Sequence, residues 1–119
     1  MSNSVGTSDE DALASSLGWF TARELGGGRF RLVGELDGVA VASVRERLGS
    51  LSGDLEFDCS KVTFIDSSGL HLLVAIRDAC TAGGGGLVLV NPSRCVARLV
   101  ALTGLGAALA TRVDGPSQS

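Results

Sequence analysis

The chain has 119 residues, 45% of them hydrophobic, and its ten Lys and Arg against thirteen Asp and Glu give a net charge of −3. This length corresponds to one domain. The chain lacks the excess of Lys and Arg that is typical of a protein that binds nucleic acid or an anionic membrane. The composition therefore predicts a single domain that binds a protein, with no nucleic-acid and no membrane partner.

The three cysteines, Cys59, Cys80 and Cys95, lie far apart, and the chain has a single histidine. This pattern indicates no metal site, no disulfide framework and no cofactor. We interpret the cysteines as small buried side chains in a reducing compartment. No apolar run approaches the ~18 residues of a membrane span, and no secretory segment opens the chain. A soluble, cytoplasmic protein is expected.

The predicted domain, residues 17–113, begins with a hairpin. Residues 1–16 and 114–119 have too little apolar content to pack and are predicted to be disordered tails. Two strand-like stretches, 19–25 and 29–36, flank three consecutive glycines, and the second stretch alternates apolar and charged residues. This arrangement is typical of two antiparallel strands joined by a glycine turn.

An amphipathic helix and a third strand are predicted next. The apolar residues at helical spacing are Val41, Val44, Leu48 and Leu51. Asp37 is the predicted start signal of this helix, and the region 49–53, bounded by glycines, is its stop. Residues 55–59 then alternate apolar and polar side chains, which predicts a strand.

A second helix is predicted over residues 69–80, and a flexible joint over the four glycines 83–86. The continuous apolar run 87–90 predicts a strand buried on both faces. Strands alternating with helices favour an α/β fold with parallel, right-handed crossovers. We therefore expect a mixed sheet of four or five strands with an N-terminal hairpin and helices mainly on one face.

The third helix is predicted to start at Asn91-Pro92, with Asn91 as the cap and Pro92 in the first turn. Its apolar face consists of Val96, Leu99 and Val100. Gly104 is predicted to end it. Residues 105–113 fit either a short strand or a short helix.

The densest polar signal is Asp66-Ser67-Ser68-Gly69, where the second helix begins after a strand and a short apolar turn. Backbone N–H groups without partners and the positive end of the helix dipole make such a position an anion site. One of the three polar side chains is expected to cap the helix. A cap needs only one side-chain oxygen. Three consecutive polar side chains, followed by a glycine that leaves space for another molecule to approach, are more than capping requires.

Catalysis by a serine is disfavoured at this segment. Ile65 stands where a nucleophile elbow has its first glycine. The only histidine, His71, lies on the same helix, and no separate acid–histidine pair is present to activate a hydroxyl. We predict no catalytic residues and no enzymatic activity.

The segment Asp66-Ser67-Ser68-Gly69-Leu70, with the preceding turn Val62-x-Phe64-Ile65, resembles the signature of STAS domains of the bacterial anti-sigma factor antagonist type. Gly34-Glu35-Leu36-Asp37 resembles the second motif of that family. The last helix of the family is similar to residues 91–96 together with 102–105. The resemblance covers nearly the whole predicted domain and implies a STAS-like fold.

The resemblance also implies a partner-switching regulator of transcription. The unphosphorylated protein binds an anti-sigma factor, which then releases its sigma factor. The anti-sigma factor is also a serine kinase, and its acceptor in the family is the first serine after the aspartate, here Ser67. A metal-dependent serine phosphatase restores the binding form, and such circuits belong to bacterial stress responses.

A parallel crossover is expected to bring Asp37 to the same sheet edge as Ser67. The predicted partner-binding residues are Asp37, Asp66, Ser67, Ser68 and Gly69, with Gly69 permitting close approach of the partner. An alternative function is a STAS-type ligand-binding or stress-sensing scaffold that phosphorylation does not switch. In that alternative, Ser67 and Ser68 contact an anion.

Overall fold

One mixed sheet with three helices forms the fold of the computed structural model, which describes residues 16–17, 20–105 and 109–114. The strands, in their order in the sheet, are β1 (Ser16–Leu17), β2 (Phe20–Gly26), β3 (Arg29–Leu36), β4 (Asp54–Ile65), β5 (Gly86–Val90) and β6 (Ala110–Arg112). The helices are α1 (Gly38–Gly49), α2 (Ser67–Ala82) and α3 (Arg94–Thr103). The predicted α/β class is confirmed, and the two-residue β1 and the short β6 bring the sheet to six strands.

The hairpin is confirmed at the N-terminal side of the sheet. Strands β1, β2 and β3 pair antiparallel, and β3, β4, β5 and β6 pair parallel. Gly27 and Gly28 turn the hairpin with φ angles of 65° and 80°, which an L side chain rarely adopts. The predicted tails fall almost wholly on residues 1–15 and 115–119, which lie outside the described residues, so the domain boundaries stay a prediction.

Burial alternates along the strands of the sheet, because the helices cover one of its faces. In β3, Phe30 and Leu32 are buried whereas Arg29 and Arg31 are exposed. The same alternation corrects the expectation for β5. Val88 is only half-buried, whereas its neighbours Leu87 and Leu89 are buried, so β5 is not buried throughout on both faces.

Strand β4 is longer than predicted. The expected strand ended at residue 59 and passed into an apolar turn, but β4 continues to Ile65. Its pairing with β3 shifts register between Arg31 and Val33 and again between Gly34 and Glu35. Each shift marks a β-bulge or similar irregularity, in which β4 contains one residue more than β3. After such an extra residue, the side chains that face the core are those that the preceding alternation would place on the exposed face. The turn prediction was wrong for this reason.

Helix α3 starts at Arg94 with Ser93 in the capping position, so the predicted cap at Asn91 was wrong. Asn91 adopts a left-handed φ of 51°. Its side-chain Oδ1 accepts a 2.7 Å hydrogen bond from the Asp114 backbone N–H, and its own N–H donates to the Arg112 carbonyl at 2.7 Å. Asn91 therefore holds β6 against the sheet. Residues 105–113, for which the sequence fits either a short strand or a short helix, contain the strand β6.

The ion pairs of Arg112 also hold β6. Arg112 donates to both carboxylate oxygens of Glu56 at 3.0 and 3.1 Å and to Asp114 Oδ1 at 2.9 Å. The hydrogen bond from Arg112 lowers the pKa of Glu56, and the same bonds raise the pKa of Arg112. The last strand is thus tied to the centre of the sheet by charge.

Replacing Glu56 by glutamine is expected to lower the urea midpoint of unfolding at pH 7 and to have less effect as the pH falls below about 4. The pKa of Glu56 is lower in the folded state, so the stabilisation is present above the unfolded pKa and disappears as the pH falls through the folded value. The effect is small because the two side chains are 36% and 44% exposed. A Glu35→Gln control, exposed and without an ion pair in the described part of the chain, should show no such trend. A Glu56→Gln effect of equal size at pH 3 and pH 7 would contradict the assignment.

Among the described residues, none of the helices is both long enough and apolar enough to cross a membrane.

Candidate functional site

The candidate site lies at the sheet edge where β3 and β4 end side by side. Leu36 and Ile65 are register partners in the parallel pair. Asp37 follows the first of them and Asp66 the second, and the Asp66 N–H donates to the Leu36 carbonyl at 3.4 Å. The expectation that a parallel crossover brings Asp37 to the edge that carries Ser67 is confirmed.

The two aspartates cap the two helices that begin at this edge. Asp37 Oδ1 accepts from the Ala40 N–H at 2.9 Å, which confirms Asp37 as the start signal of α1. Asp66 Oδ1 accepts from the Gly69 N–H at 3.1 Å, so Asp66 is the cap of α2. Its second oxygen, Oδ2, accepts from the Gly38 N–H at 3.2 Å. One carboxylate therefore joins the first turns of two helices, where unpaired N–H groups and positive dipole ends meet.

Ser67 and Ser68 lie in the first turn of α2 and are exposed. The helix starts two residues before the predicted position because Asp66, rather than a serine, is the cap. Within the described part of the chain, the Ser67 hydroxyl has no hydrogen-bond partner. Ser68 faces the neighbouring helix, since a Cβ added at Gly38 would lie 3.6 Å from Ser68 Oγ. Ser67 thus presents a free hydroxyl to solvent.

Gly69 is buried beneath this surface, and the structure gives a reason for the glycine other than partner access. A Cβ at this position would lie 2.5 Å from the Leu36 carbonyl oxygen and 2.9 Å from Ile65 Cγ1. Such contacts are sterically forbidden, so glycine allows α2 to pack directly on the ends of both strands. Whether Gly69 also contacts a partner stays a prediction.

A groove of about 300 Å³ runs between α1 and α2, beginning at Ser68. Val41 and Leu72 form part of its apolar lining, and Arg45 and His71 supply polar groups. Neither Arg45 nor His71 has a hydrogen bond or ion pair within the described residues. The groove therefore presents uncompensated cationic or protonatable groups close to the serine pair.

Two exposed apolar side chains near this edge were not singled out from the sequence as site residues. Val39, in the first turn of α1, is 60% exposed, and Phe64, one residue before the end of β4, is 46% exposed. Phe64 pairs in register with Glu35. The sequence carried a signal for an exposed apolar side chain here, namely the consecutive apolar residues Phe64 and Ile65. Successive side chains of a strand point to opposite faces, so only one of the two can face the core. Exposed apolar residues beside polar groups are typical of protein-binding surfaces.

The cysteines contribute no reactive group to the site. Cys59 and Cys80 are buried, as predicted, and Cys95 is half-buried. Burial, with a smaller contribution from Asp58, raises the pKa of the Cys59 thiol to about 12. Within the described residues, no group of three or more His, Cys, Asp or Glu is arranged to hold a metal ion.

Comparisons with known proteins agree with this architecture. A family model described as the STAS domain matches residues 23–114. A structure of the anti-sigma factor antagonist SpoIIAA in its unphosphorylated form is 22% identical, with a TM-score of 0.64 over 83% of this chain and 90% of that one. A provisionally assigned anti-sigma factor antagonist from Thermotoga maritima is 23% identical, with a TM-score of 0.67 over 83% and 89%.

A structure of the Bacillus cell fate determinant SpoIIAA in its phosphorylated form is 22% identical, with a TM-score of 0.61 over 83% of this chain and 94% of that one. Comparison with curated protein sequences gave no significant match. At these identities the structural likeness establishes the fold.

Proposed function

The chain belongs to the STAS domain family, and from that premise we propose that it is an anti-sigma factor antagonist switched by phosphorylation of Ser67. In the unphosphorylated form it binds an anti-sigma factor that is also a serine kinase, and the sigma factor is released to activate transcription. Phosphorylation ends this binding. A serine phosphatase restores it.

The observation that carries the proposal is the free, exposed hydroxyl of Ser67 at the point where two helices begin. A kinase needs an accessible hydroxyl, and Ser67 is exposed and has no hydrogen-bond partner within the described structure. In the transfer, Ser67 Oγ forms a bond to the γ-phosphorus of ATP, loses its proton, and ADP leaves. The protein supplies the acceptor and the partner supplies the catalysis, so we propose no enzymatic activity for this chain.

A phosphoryl group at Ser67 changes the surface more than the fold. It adds about −1.5 to −2 charges, which moves the net charge from −3 to about −5. The first turn of a helix tolerates negative charge, so α2 remains intact. Asp66 already carries a negative charge beside the site, and a partner shaped for a neutral hydroxyl meets both repulsion and unfavourable desolvation.

The proposed binding surface surrounds Ser67 on both helices. It contains Asp37 and Asp66 as capping residues and Ser68 at the mouth of the groove. Exposed Val39 and Phe64 give it apolar contact area, and burial of apolar surface is the dominant favourable contribution in most protein–protein association. Gly69 supports this surface from below. We propose that this switch operates in the bacterial cytoplasm as part of a stress response.

The test is phosphorylation in vitro by a candidate kinase of the histidine-kinase-like ATPase type, encoded near the gene for this protein. Phos-tag electrophoresis with peptide mapping should find one phosphate, on Ser67. The Ser67→Ala variant should bind that kinase in all conditions, and Ser67→Asp should bind about 5- to 150-fold more weakly in calorimetry. Exposed Ser60 on β4 provides matched controls, Ser60→Ala and Ser60→Asp, which should behave as the unchanged protein.

A phosphate found only at another residue, or equal affinities for Ser67→Asp and Ser60→Asp, would contradict the proposal. Calorimetric binding of a nucleotide or another small anion without any kinase would instead support the alternative of a ligand-binding STAS module.

A further inference from the structure

His71 lies one helical turn after Ser67 on the exposed face of α2. Residues at i and i+4 on a helix have Cβ atoms about 5–6 Å apart, and helical side chains lean towards the N-terminus. The imidazole of His71 is thereby directed towards the turn that carries Ser67. It is exposed and has no bonding partner in the described structure.

Arg45 adds a permanent positive charge on the opposite side of the groove. Arg45 lines the same groove as His71 and Ser68 and makes no ion pair among the described residues. Of the other charged residues on the two helices and at their caps, Arg77 is paired with its neighbour Asp78 at 2.8 Å, Glu46 and Arg47 follow Arg45 on α1, and Asp37 and Asp66 cap α1 and α2.

We propose that His71 and Arg45 form an intramolecular phosphate-binding pair that holds the phosphoryl group once Ser67 is modified. This inference rests on the proposed phosphorylation of Ser67 and adds which side chains of the protein bind the phosphoryl group. A phosphomonoester dianion prefers a guanidinium and an imidazolium as partners. The bound phosphate lies over the mouth of the groove at Ser68. Phosphorylation thus withdraws two cationic groups from a partner as well as adding negative charge.

The test uses the full chain with phosphoserine incorporated at position 67 during synthesis, so that no kinase is needed. The single histidine of the chain gives one pair of imidazole C–H signals in the proton spectrum. Its titration midpoint should rise by about 0.5 pH unit relative to the unmodified protein. In the phosphorus spectrum, the midpoint for the last proton of phosphoserine, ordinarily near 6, should rise by about the same amount when His71→Gln or Arg45→Gln is introduced.

Two controls separate a specific site from general charge effects. Phosphoserine at position 60 on β4 should leave the His71 midpoint unchanged. Arg98→Gln, which removes an exposed arginine of α3, should leave the phosphorus midpoint unchanged. The proposal is overturned if the His71 midpoint responds equally to phosphoserine at 60 and 67, or if either groove variant leaves the phosphorus midpoint in place.

The two proposals fail in different ways. A kinase that does not modify Ser67 contradicts the proposed function but leaves these titrations readable. Unchanged titrations remove the phosphate-binding pair and leave partner binding to be decided by the Ser67→Asp affinities.

Discussion

Replacing Gly69 by alanine is expected to lower the free energy of unfolding by about 3 kcal/mol. The added Cβ would lie 2.5 Å from the Leu36 carbonyl oxygen and 2.9 Å from the side chains of Leu36 and Ile65. These atoms belong to the ends of two paired strands, so relief requires α2 to move away from the sheet. That movement also stretches the 3.4 Å bond between the Asp66 N–H and Leu36. Urea unfolding of the two proteins measures the effect.

Gly38→Ala is the matched control, because Gly38 is also a glycine in the first turn of a helix at this edge. A Cβ there would meet only Ser68 Oγ, at an ordinary 3.6 Å. We expect no loss of stability, or a gain of up to ~1 kcal/mol from helix propensity. If the two substitutions destabilise the protein equally, the contact with Leu36 and Ile65 is not the reason for the glycine.

Replacing Asp66 by alanine is expected to lower the free energy of unfolding by about 2 kcal/mol. The substitution removes two hydrogen bonds at once, one from the Gly69 N–H of its own helix and one from the Gly38 N–H of the neighbouring helix. Asp66→Asn keeps one acceptor oxygen and should lie between the wild type and Asp66→Ala. Denaturant unfolding at pH 7 gives the three values.

The control is Asp37→Ala, which removes a single capping bond, from the Ala40 N–H, and should destabilise by about 1 kcal/mol. Hydrogen exchange distinguishes the bridge from a simple cap. In Asp66→Ala the Gly38 amide should exchange faster even though it lies 28 residues away in the chain. An unchanged Gly38 exchange rate would mean that Asp66 acts on α2 alone.

The fold was largely predictable from local patterns. Helical spacing of apolar residues located α1, and alternation located β3, because each element must present one apolar face to a common core. Glycines and an aspartate marked the hairpin turn and the start of α1 through their backbone and capping preferences. The parallel crossover then implied that Asp37 and Ser67 share an edge. The spacing, turn and capping signals are local, whereas the shared edge follows from the general direction and handedness of strand–helix–strand crossovers. The structure confirms these features.

Other features depended on contacts between distant segments. The two register shifts in β4 exist only relative to β3, so the alternation of β4 alone resembled a strand followed by a turn. Asn91 carried a capping signal, but its side chain bonds to Asp114. The second function of Asp66 was hidden for the same reason, since its partner Gly38 belongs to another helix.

By itself, the sequence determined the class of the fold, the order of its elements and the polar segment that carries Ser67, because periodicity and turn chemistry are local properties. Only the tertiary structure decided that Gly69 is a packing residue, that Asp66 joins two helices, and that Arg45 and His71 share a groove. The physical reason is that steric exclusion and hydrogen bonding between elements depend on distances of a few ångströms that chain folding alone sets.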